Sequence, residues 1–132
     1  MVIIFGATGF IGLYTVKKFI DEGIDVIGTG RNDVVGEKIE EMGAKYIHLD
    51  ITRKADFEKL PKEGVEGVIL LAGLLPANST TELDKEENAA DYFEINVIGA
   101  INVLEYCRKN GIKKVIGNCS YSCLLYTSPS PR

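Results

Sequence analysis

Three glycines near the amino terminus have the spacing of a phosphate-binding loop. The segment GATGFIG (residues 6–12) follows the apolar run MVIIF (residues 1–5) and precedes a segment of helical period. The turn from strand to helix needs a residue that tolerates positive φ, and both a bound phosphate and a closely packed helix need neighbours without side chains. The helix dipole then attracts the phosphates of a dinucleotide. The predicted cofactor-binding residues of this loop are Gly6, Thr8, Gly9, Phe10, Ile11 and Gly12.

Arg31 follows the second predicted strand, where NAD and NADP are discriminated. In NAD-specific folds a carboxylate at the end of this strand binds the ribose 2′-hydroxyl. Here the residue 18 positions after Gly12 is Gly30, which has no side chain, and Arg31 is next. An arginine attracts a 2′-phosphate through charge-assisted hydrogen bonds, and Asn32 adds a further donor. The sequence therefore favours NADP over NAD, with a solvated loop residue as the alternative role for Arg31.

Short apolar runs alternate with helical segments over residues 1–120. Strands are predicted at residues 1–5, 25–30, 44–50, 67–73 and 113–120, helical segments at 13–23, 34–43, 54–60 and about 88–109, and a loop at 74–88. This alternation predicts an α/β fold with a doubly wound parallel sheet, the Rossmann fold, in the strand order 3-2-1-4-5 and truncated after the fifth strand. The residues expected to be buried are 2–5, 26–27, 68–71 and 115–116.

Composition and charge favour a single globular domain that acts on small molecules. The chain has 132 residues, 45% of them hydrophobic, and a net charge of −4. A nucleic acid or an anionic membrane would call for a basic face, and no apolar run approaches the ~20 residues of a membrane span. Cys107, Cys119 and Cys123 indicate reduced thiols and a cytoplasmic protein. With one histidine they form no zinc set, so no metal site is predicted.

Further segments follow the glycine loop in a recognisable order. They are LDI (residues 49–51), LLAGL (residues 70–74) and NVIGAINVLEYCRKNGIKKVI (residues 96–116). Together with the G-x-x-G-x-x-G spacing of GATGFIG, these segments resemble the extended branch of the short-chain dehydrogenase/reductase superfamily, the NAD-dependent epimerases and dehydratases. The resemblance implies that Asp50 and Ile51 contact the adenine and that Gly99 permits close helix packing. It also implies a ribose and nicotinamide site at Leu71, Ala72, Gly73 and Asn96.

Ser120 ends the fifth predicted strand. The resemblance implies that its hydroxyl orients the substrate, as a catalytic residue, together with a Tyr-x-x-x-Lys pair on the next helix. In such a pair the lysine lowers the pKa of the tyrosine from about 10, so that the phenol exchanges a proton near neutral pH. The chain has this spacing only at Tyr14 and Lys18, on the helix after the glycine loop and away from the nicotinamide end.

The segment SCLLYTSPSPR (residues 122–132) has no strand or helical period. Within it, CLLYTSPSPR (residues 123–132) resembles translated adaptor or vector sequence, which predicts foreign read-through; a natural divergent tail is the alternative. We therefore expect residues 1–121 to be an incomplete NAD(P)-binding Rossmann domain and residues 122–132 to lie outside the family.

The resemblance implies the NAD(P)-binding half of a nucleotide-sugar epimerase, dehydratase or reductase. Its substrate would be a small molecule, such as a nucleotide sugar, and the full-length protein would form a homodimer. Because the Tyr-x-x-x-Lys pair is missing, we expect the 132-residue chain to be inactive. Two alternatives stay open: a non-enzymatic NADP(H)-binding sensor, and an atypical-branch NADP-dependent reductase of small carbonyls or flavins, for which the Gly30–Arg31 ending is typical.

Overall fold

Five parallel strands form the centre of the computed structural model, which describes residues 1–73 and 89–117. The strands are β1 (Val2–Phe5), β2 (Val26–Gly30), β3 (Lys45–His48), β4 (Gly67–Leu70) and β5 (Val115–Gly117). Their order in the sheet is β3-β2-β1-β4-β5, and every neighbouring pair is parallel. The predicted doubly wound sheet and its strand order are confirmed.

Helical segments connect the strands. They are α1 (Phe10–Asp21), α2 (Asp33–Glu41), a 3-10 helix (Lys54–Lys59), α3 (Ala89–Phe93), a π-helical segment (Glu94–Gly99) and α4 (Ala100–Lys109). The last three follow one another without a break, so the long helix predicted from about Asn88 is present over Ala89–Lys109. None of the helices in the described ranges has the length and apolarity needed to span a membrane.

Two apolar clusters cover the two faces of the sheet, because successive side chains of a strand point to opposite faces. On β1, Ile3 and Phe5 belong to one cluster and Ile4 to the other. The first cluster includes Val103 of α4, and the second includes Val16 of α1. Helices on both faces therefore bury the inner strands. Because these strands are parallel neighbours, the carboxyl ends of β1, β2 and β4 lie side by side.

The burial expected for the fifth strand is wrong. Val115 is 36% exposed and Ile116 is 65% exposed. Within the described chain β5 pairs only with β4, and a strand at the edge of the sheet lies beyond the helices that cover the inner strands. The expectation holds for the inner residues Ile3–Phe5, Val26, Ile27, Val68 and Ile69, whereas Val2, Leu70 and Leu71 are half-buried.

Several predictions fall on segments outside the described residues. These are the loop at 74–88, Ser120 with the end of its predicted strand, and the tail at 122–132. The division of the chain at residue 121 therefore stays a prediction.

Candidate functional site

A cleft of about 200 Å³ opens where β1, β2, β3 and β4 end. Loops that follow neighbouring parallel strands meet at this edge of a doubly wound sheet. Of the predicted cofactor-binding residues, those that line the cleft are Gly6, Thr8, Gly9, Arg31, Asp50, Ile51, Leu71, Ala72 and Gly73. Segments from four separate parts of the sequence are thus brought together around one space.

The glycine loop passes very close to the end of β4. Gly6 has φ of +85°, and a Cβ atom placed on it would lie 2.5 Å from the backbone nitrogen of Ala72. Gly12 is buried, and a Cβ there would overlap the carbonyl oxygen of Gly6. Both positions therefore require glycine, one for the turn and the other for the contact between α1 and the loop.

Helix α1 begins at the cleft without a side-chain cap. Gly9 is its N-cap residue and offers no side chain to the first-turn N–H groups. These N–H groups have no intrahelical acceptor, and they carry the positive end of the helix dipole. The start of α1, preceded by the Gly6 turn, is therefore suited to bind an anionic group such as a phosphate.

The end of β2 has no room for a side chain at residue 30. A Cβ on Gly30 would overlap the side chain of Thr8, which also lines the cleft. Arg31 follows Gly30, is exposed, and lines the same cleft. The local charge at the end of β2 is therefore the positive charge of Arg31, where an NAD-specific fold would have a carboxylate.

Asp50 follows β3 and is held by its own turn. Its Oδ1 atom accepts hydrogen bonds from the backbone nitrogen of Thr52 at 2.9 Å and from the Thr52 hydroxyl at 2.7 Å. Burial raises the pKa of Asp50, but the Thr52 hydrogen bonds and the charges of Arg31 and Arg53 outweigh burial and lower it below its usual range. A charged carboxylate in the cleft can accept a hydrogen bond from an amino group such as that of adenine.

A buried amide fixes the backbone of the next residue. Asn102 of α4 donates from Nδ2 to the carbonyl oxygen of Ile51 at 2.8 Å. Gly99, at the end of the π-helical segment, lies directly against Ile51, since a Cβ on Gly99 would be 2.5 Å from the Ile51 Cδ1 atom. Close packing at Gly99 and the Asn102 hydrogen bond together hold this wall of the cleft against α4.

A charged and aromatic cluster lies beside the Gly30–Arg31 turn, outside the cleft lining. Asp33, the first residue of α2, accepts hydrogen bonds at Oδ1 from the Tyr46 hydroxyl (3.0 Å) and from Nδ1 of His48 (2.7 Å). Hydrogen bonds from His48 and then Tyr46 lower the pKa of Asp33. Burial, followed by the Asp33 hydrogen bond, raises the pKa of Tyr46, so Tyr46 stays a neutral donor beside a charged carboxylate.

Five predicted cofactor-binding residues do not line the cleft. Phe10 and Ile11 are exposed on the first turn of α1, and Gly12 lies buried beneath the loop. Asn32 caps α2, because its Oδ1 atom accepts a hydrogen bond from the Val35 nitrogen at 3.3 Å. Asn96 is exposed beside the cleft: a Cβ on Gly73 would be 3.4 Å from its Oδ1 atom.

The cleft also contains residues that the sequence reasoning missed: Thr29, Gly30, Leu49 and Ile95. The carbonyl oxygen of Thr29 accepts hydrogen bonds from the nitrogens of Gly6 and Ala7 at 3.1 and 2.9 Å, which joins β2 to the glycine loop. Each missed residue is the immediate sequence neighbour of a predicted one or of Gly30. For Thr29, Gly30 and Leu49 the position at a strand end is the signal that would have found them, whereas Ile95 lies in the π-helical segment beside Asn96.

Comparisons with known proteins agree with this architecture. The sequence profile described as "NAD dependent epimerase/dehydratase family" matches residues 2–128. A UDP-glucose 4-epimerase of Pisum sativum is 29% identical over 140 residues, covering 97% of this chain and 38% of that protein. Tetraketide alpha-pyrone reductase 1 of Arabidopsis thaliana is 32% identical over 126 residues, covering 89% of this chain and 36% of that protein. The chain thus spans little more than a third of these relatives.

A solved structure shows the same fold. UDP-glucose 4-epimerase from Bifidobacterium longum, in complex with NAD+ and UDP, superposes with a TM-score of 0.77 at 23% identity, covering 93% of this chain and 38% of that one. The sheet order, the glycine loop between β1 and α1 and the profile match over nearly the whole sequence lead to one assignment. This chain belongs to the NAD dependent epimerase/dehydratase family and has the Rossmann-type nucleotide-binding architecture of that family.

Proposed function

We propose that this chain is the NAD(P)-binding part of a nucleotide-sugar epimerase or dehydratase-like oxidoreductase, and that it prefers NADP. The observation that carries the proposal is the cleft in which the Gly6 loop, Arg31, Asp50 and the Leu71–Gly73 segment meet. When bound, a nicotinamide cofactor supplies the acceptor or donor of a hydride. The residues of this chain bind and orient that cofactor.

The glycine loop suits the pyrophosphate of the cofactor. A Cβ on Gly6 would fill the space beside Ala72, and the uncapped start of α1 offers N–H groups at the same place. A pyrophosphate placed there is stabilised by these donors and by the helix dipole. No lysine or arginine is needed for this contact, which agrees with the apolar and small residues of GATGFIG.

The adenosine half would lie against the ends of β2 and β3. Asp50 offers a charged carboxylate, both of whose hydrogen bonds from Thr52 go to Oδ1, and Oδ2 has no donor among the described residues. Ile51 offers apolar surface beside it. The nicotinamide half would lie toward Leu71–Gly73 and Asn96, at the opposite wall of the cleft.

The preference for NADP rests on the three residues that meet at the end of β2. Thr8 occupies the space where a side chain at residue 30 would stand, so no carboxylate is available at that position for a ribose 2′-hydroxyl. Arg31 offers five donors and a fixed charge to a 2′-phosphate. This combination supports NADP over NAD for this chain.

We also propose a nucleotide-sugar substrate and a role for Ser120 in orienting it. The relatives named UDP-glucose 4-epimerases support this substrate class. No Tyr-x-x-x-Lys follows Ser120 within these 132 residues, and a lysine-supported tyrosine is the group that would exchange a proton with the sugar. The 132-residue chain is therefore proposed to bind cofactor without turning over substrate.

A reductase of small carbonyls is the second candidate. The 32% identity to a protein named tetraketide alpha-pyrone reductase 1 and the Gly30–Arg31 ending favour it. Both candidates share the same cofactor site, so they differ in the substrate and in whether the cofactor is consumed. Assays of the full-length gene product with nucleotide sugars and with small carbonyl compounds separate them: NADPH consumption with carbonyls and no epimerisation of sugars would replace the first candidate by the second.

The cofactor proposal is tested by titrating the 132-residue chain with NADPH and NADH and following nicotinamide fluorescence. We expect saturable binding of both and tighter binding of NADPH. Adenosine 2′,5′-bisphosphate should displace NADPH better than 5′-AMP does, because only the former carries the 2′-phosphate. Absence of binding would refute the nucleotide site, and equal displacement by the two mononucleotides would refute the role of Arg31.

A further inference from the structure

The β2–α2 loop contains an acid that the proposed preference for NADP must accommodate. Asp33 comes two residues after Arg31, and its carboxylate is charged at neutral pH like that of an ordinary aspartate, with hydrogen bonds from His48 and Tyr46 lowering its pKa further. A carboxylate near a 2′-phosphate would repel it, and near a ribose 2′-hydroxyl it would accept a hydrogen bond. The placement of Asp33 therefore bears directly on cofactor choice.

The structure holds this carboxylate toward β3. Tyr46 and His48 are two residues apart on β3, so their side chains share one face of the sheet. His48 pairs with Gly30 in the sheet register, and Tyr46 pairs with Gly28. Both donors bond to the same oxygen, Oδ1 of Asp33, and Asp33 is absent from the lining of the cleft.

The position of Tyr46 is itself fixed. Its single hydroxyl proton is shared between Oδ1 of Asp33 and the carbonyl oxygen of Gly30, which lies 2.9 Å away, and its ring fills the space where a Cβ on Gly36 would stand. His48 is held less tightly, with its side chain 49% exposed. Lys59 adds a positive charge on the same side, since its Nζ atom donates to the carbonyl oxygen of His48 at 3.1 Å.

We propose that Tyr46 and His48 are positioning residues that hold the Asp33 carboxylate away from the 2′-phosphate site and so allow Arg31 to select NADP. The inference rests on the proposed cofactor site. Without the two donors, Asp33 is free to rotate toward the turn at Gly30, where its charge opposes a 2′-phosphate and its oxygen atoms can accept from a 2′-hydroxyl. Loss of the donors then shifts the preference from NADP toward NAD.

The test compares dissociation constants for NADPH and NADH in four variants of the 132-residue chain. The Tyr46→Phe/His48→Ala variant removes both donors, and the triple variant adds Asp33→Asn. Asp33→Asn alone separates the charge of Asp33 from any structural role. Asp25→Asn is the matched control, because it removes the same charge at the other end of β2. Residue 25 is about 16 Å from residue 30 along the strand, which exceeds the screening length at physiological salt.

We expect the double variant to weaken NADPH binding roughly three- to fivefold relative to NADH, because the effect is that of one exposed charge. The triple variant should return the ratio of the two constants to within about twofold of the wild type. Asp33→Asn alone and Asp25→Asn should not lower the relative affinity for NADPH. Circular dichroism checks folding, and His48→Ala alone gives the same comparison if the double variant unfolds.

Two results would overturn the inference while leaving the proposed function intact. One is a triple variant as weak for NADPH as the double variant, and the other is an Asp33→Asn variant as weak as the double variant. Either would mean that the cluster acts by supporting the loop and not by keeping the Asp33 charge away from a 2′-phosphate. A wild-type chain that binds neither cofactor would overturn the proposed function and this inference together.

Discussion

Replacement of Gly6 by alanine tests the closest approach in the candidate site. Because Phe5 pairs with Leu70 in the sheet, residue 6 lies beside the chain that leaves β4. An added Cβ would be 2.5 Å from the nitrogen and 2.7 Å from the Cα atom of Ala72, and 2.8 Å from the carbonyl carbon of Leu71. These are backbone atoms, so no side-chain rotation can relieve the contact.

The cost of Gly6→Ala has two parts. Alanine at a positive φ costs about 1–2 kcal/mol, and overpacking against atoms that cannot rotate away costs typically about 1–3 kcal/mol. The expected loss in the free energy of unfolding is therefore about 2–5 kcal/mol, a large fraction of the roughly 5–15 kcal/mol that stabilises a domain. Cofactor binding should be lost as well, since the Cβ would stand beside the proposed pyrophosphate site.

Gly23→Ala is the matched control for this experiment. Gly23 has φ of +75° and no atom within 4 Å of an added Cβ, so the substitution introduces the backbone strain without the clash. It should cost only about 1–2 kcal/mol and leave NADPH binding unchanged. Urea denaturation followed by circular dichroism gives both free energies. Equal losses in the two variants would show that the loop moves aside freely, and would refute the argument for close approach.

Three further substitutions test separate parts of the cleft. Arg31→Ala should weaken NADPH binding roughly tenfold, the low end for a charged hydrogen bond at an exposed residue, and leave NADH binding unchanged. The control variant Arg108→Ala should bind both cofactors as the wild type does. Equal loss of affinity for both cofactors in a fluorescence titration of Arg31→Ala would contradict the prediction. Asn102→Ala should lower the free energy of unfolding by about 1–3 kcal/mol, because the buried carbonyl of Ile51 loses its donor; urea denaturation measures this, and a negligible change would count against it. Asp50→Asn should destabilise the chain at pH 7, since burial raises the pKa of Asp50 but its hydrogen bonds and nearby arginines lower it overall. A lowered folded-state pKa stabilises above the unfolded pKa and ceases to do so as the pH falls, so denaturation at pH 7 and at lower pH should show the difference between variant and wild type shrinking.

The inner part of the fold was predictable because its signals are local. Apolar runs such as residues 3–5 and 68–69 are buried, and the glycine loop begins the first helix where its spacing indicates. The exposure of the edge strand β5 was not predictable in the same way. Val115 and Ile116 have the same composition as the inner strands, yet their exposure depends on which elements lie over β5, and that is a property of the whole sheet.

The residues of the candidate site show the same difference between local signals, which were predictable, and long-range contacts, which were not. Residues one or two positions after a strand, such as Gly6, Arg31, Asp50 and Ala72, reach the cleft because the topology carries the ends of β1, β2, β3 and β4 to one edge. A side chain that bonds to its own helix does not line the cleft. Asn32 caps α2, although the sequence marks it only as a polar loop residue. Contacts such as that of Asn102 with Ile51 join positions 51 residues apart, and no local pattern encodes them.

The proposed cofactor preference rests on a group of residues and not on a single charge. The Thr8 side chain and any side chain at residue 30 exclude one another sterically, so an acid at residue 30 requires a smaller side chain at residue 8 as well. Arg31 supplies the positive charge, while the nearest acid in its loop, Asp33, is bonded to β3. Because Tyr46 and His48 are two residues apart on β3, their side chains share one face of the sheet, and one strand provides both of the donors that hold Asp33. On the proposed preference for NADP, a change to NAD would need a new acceptor for the 2′-hydroxyl, and we expect release of Asp33 from β3 to provide one without a change at Thr8 or Gly30.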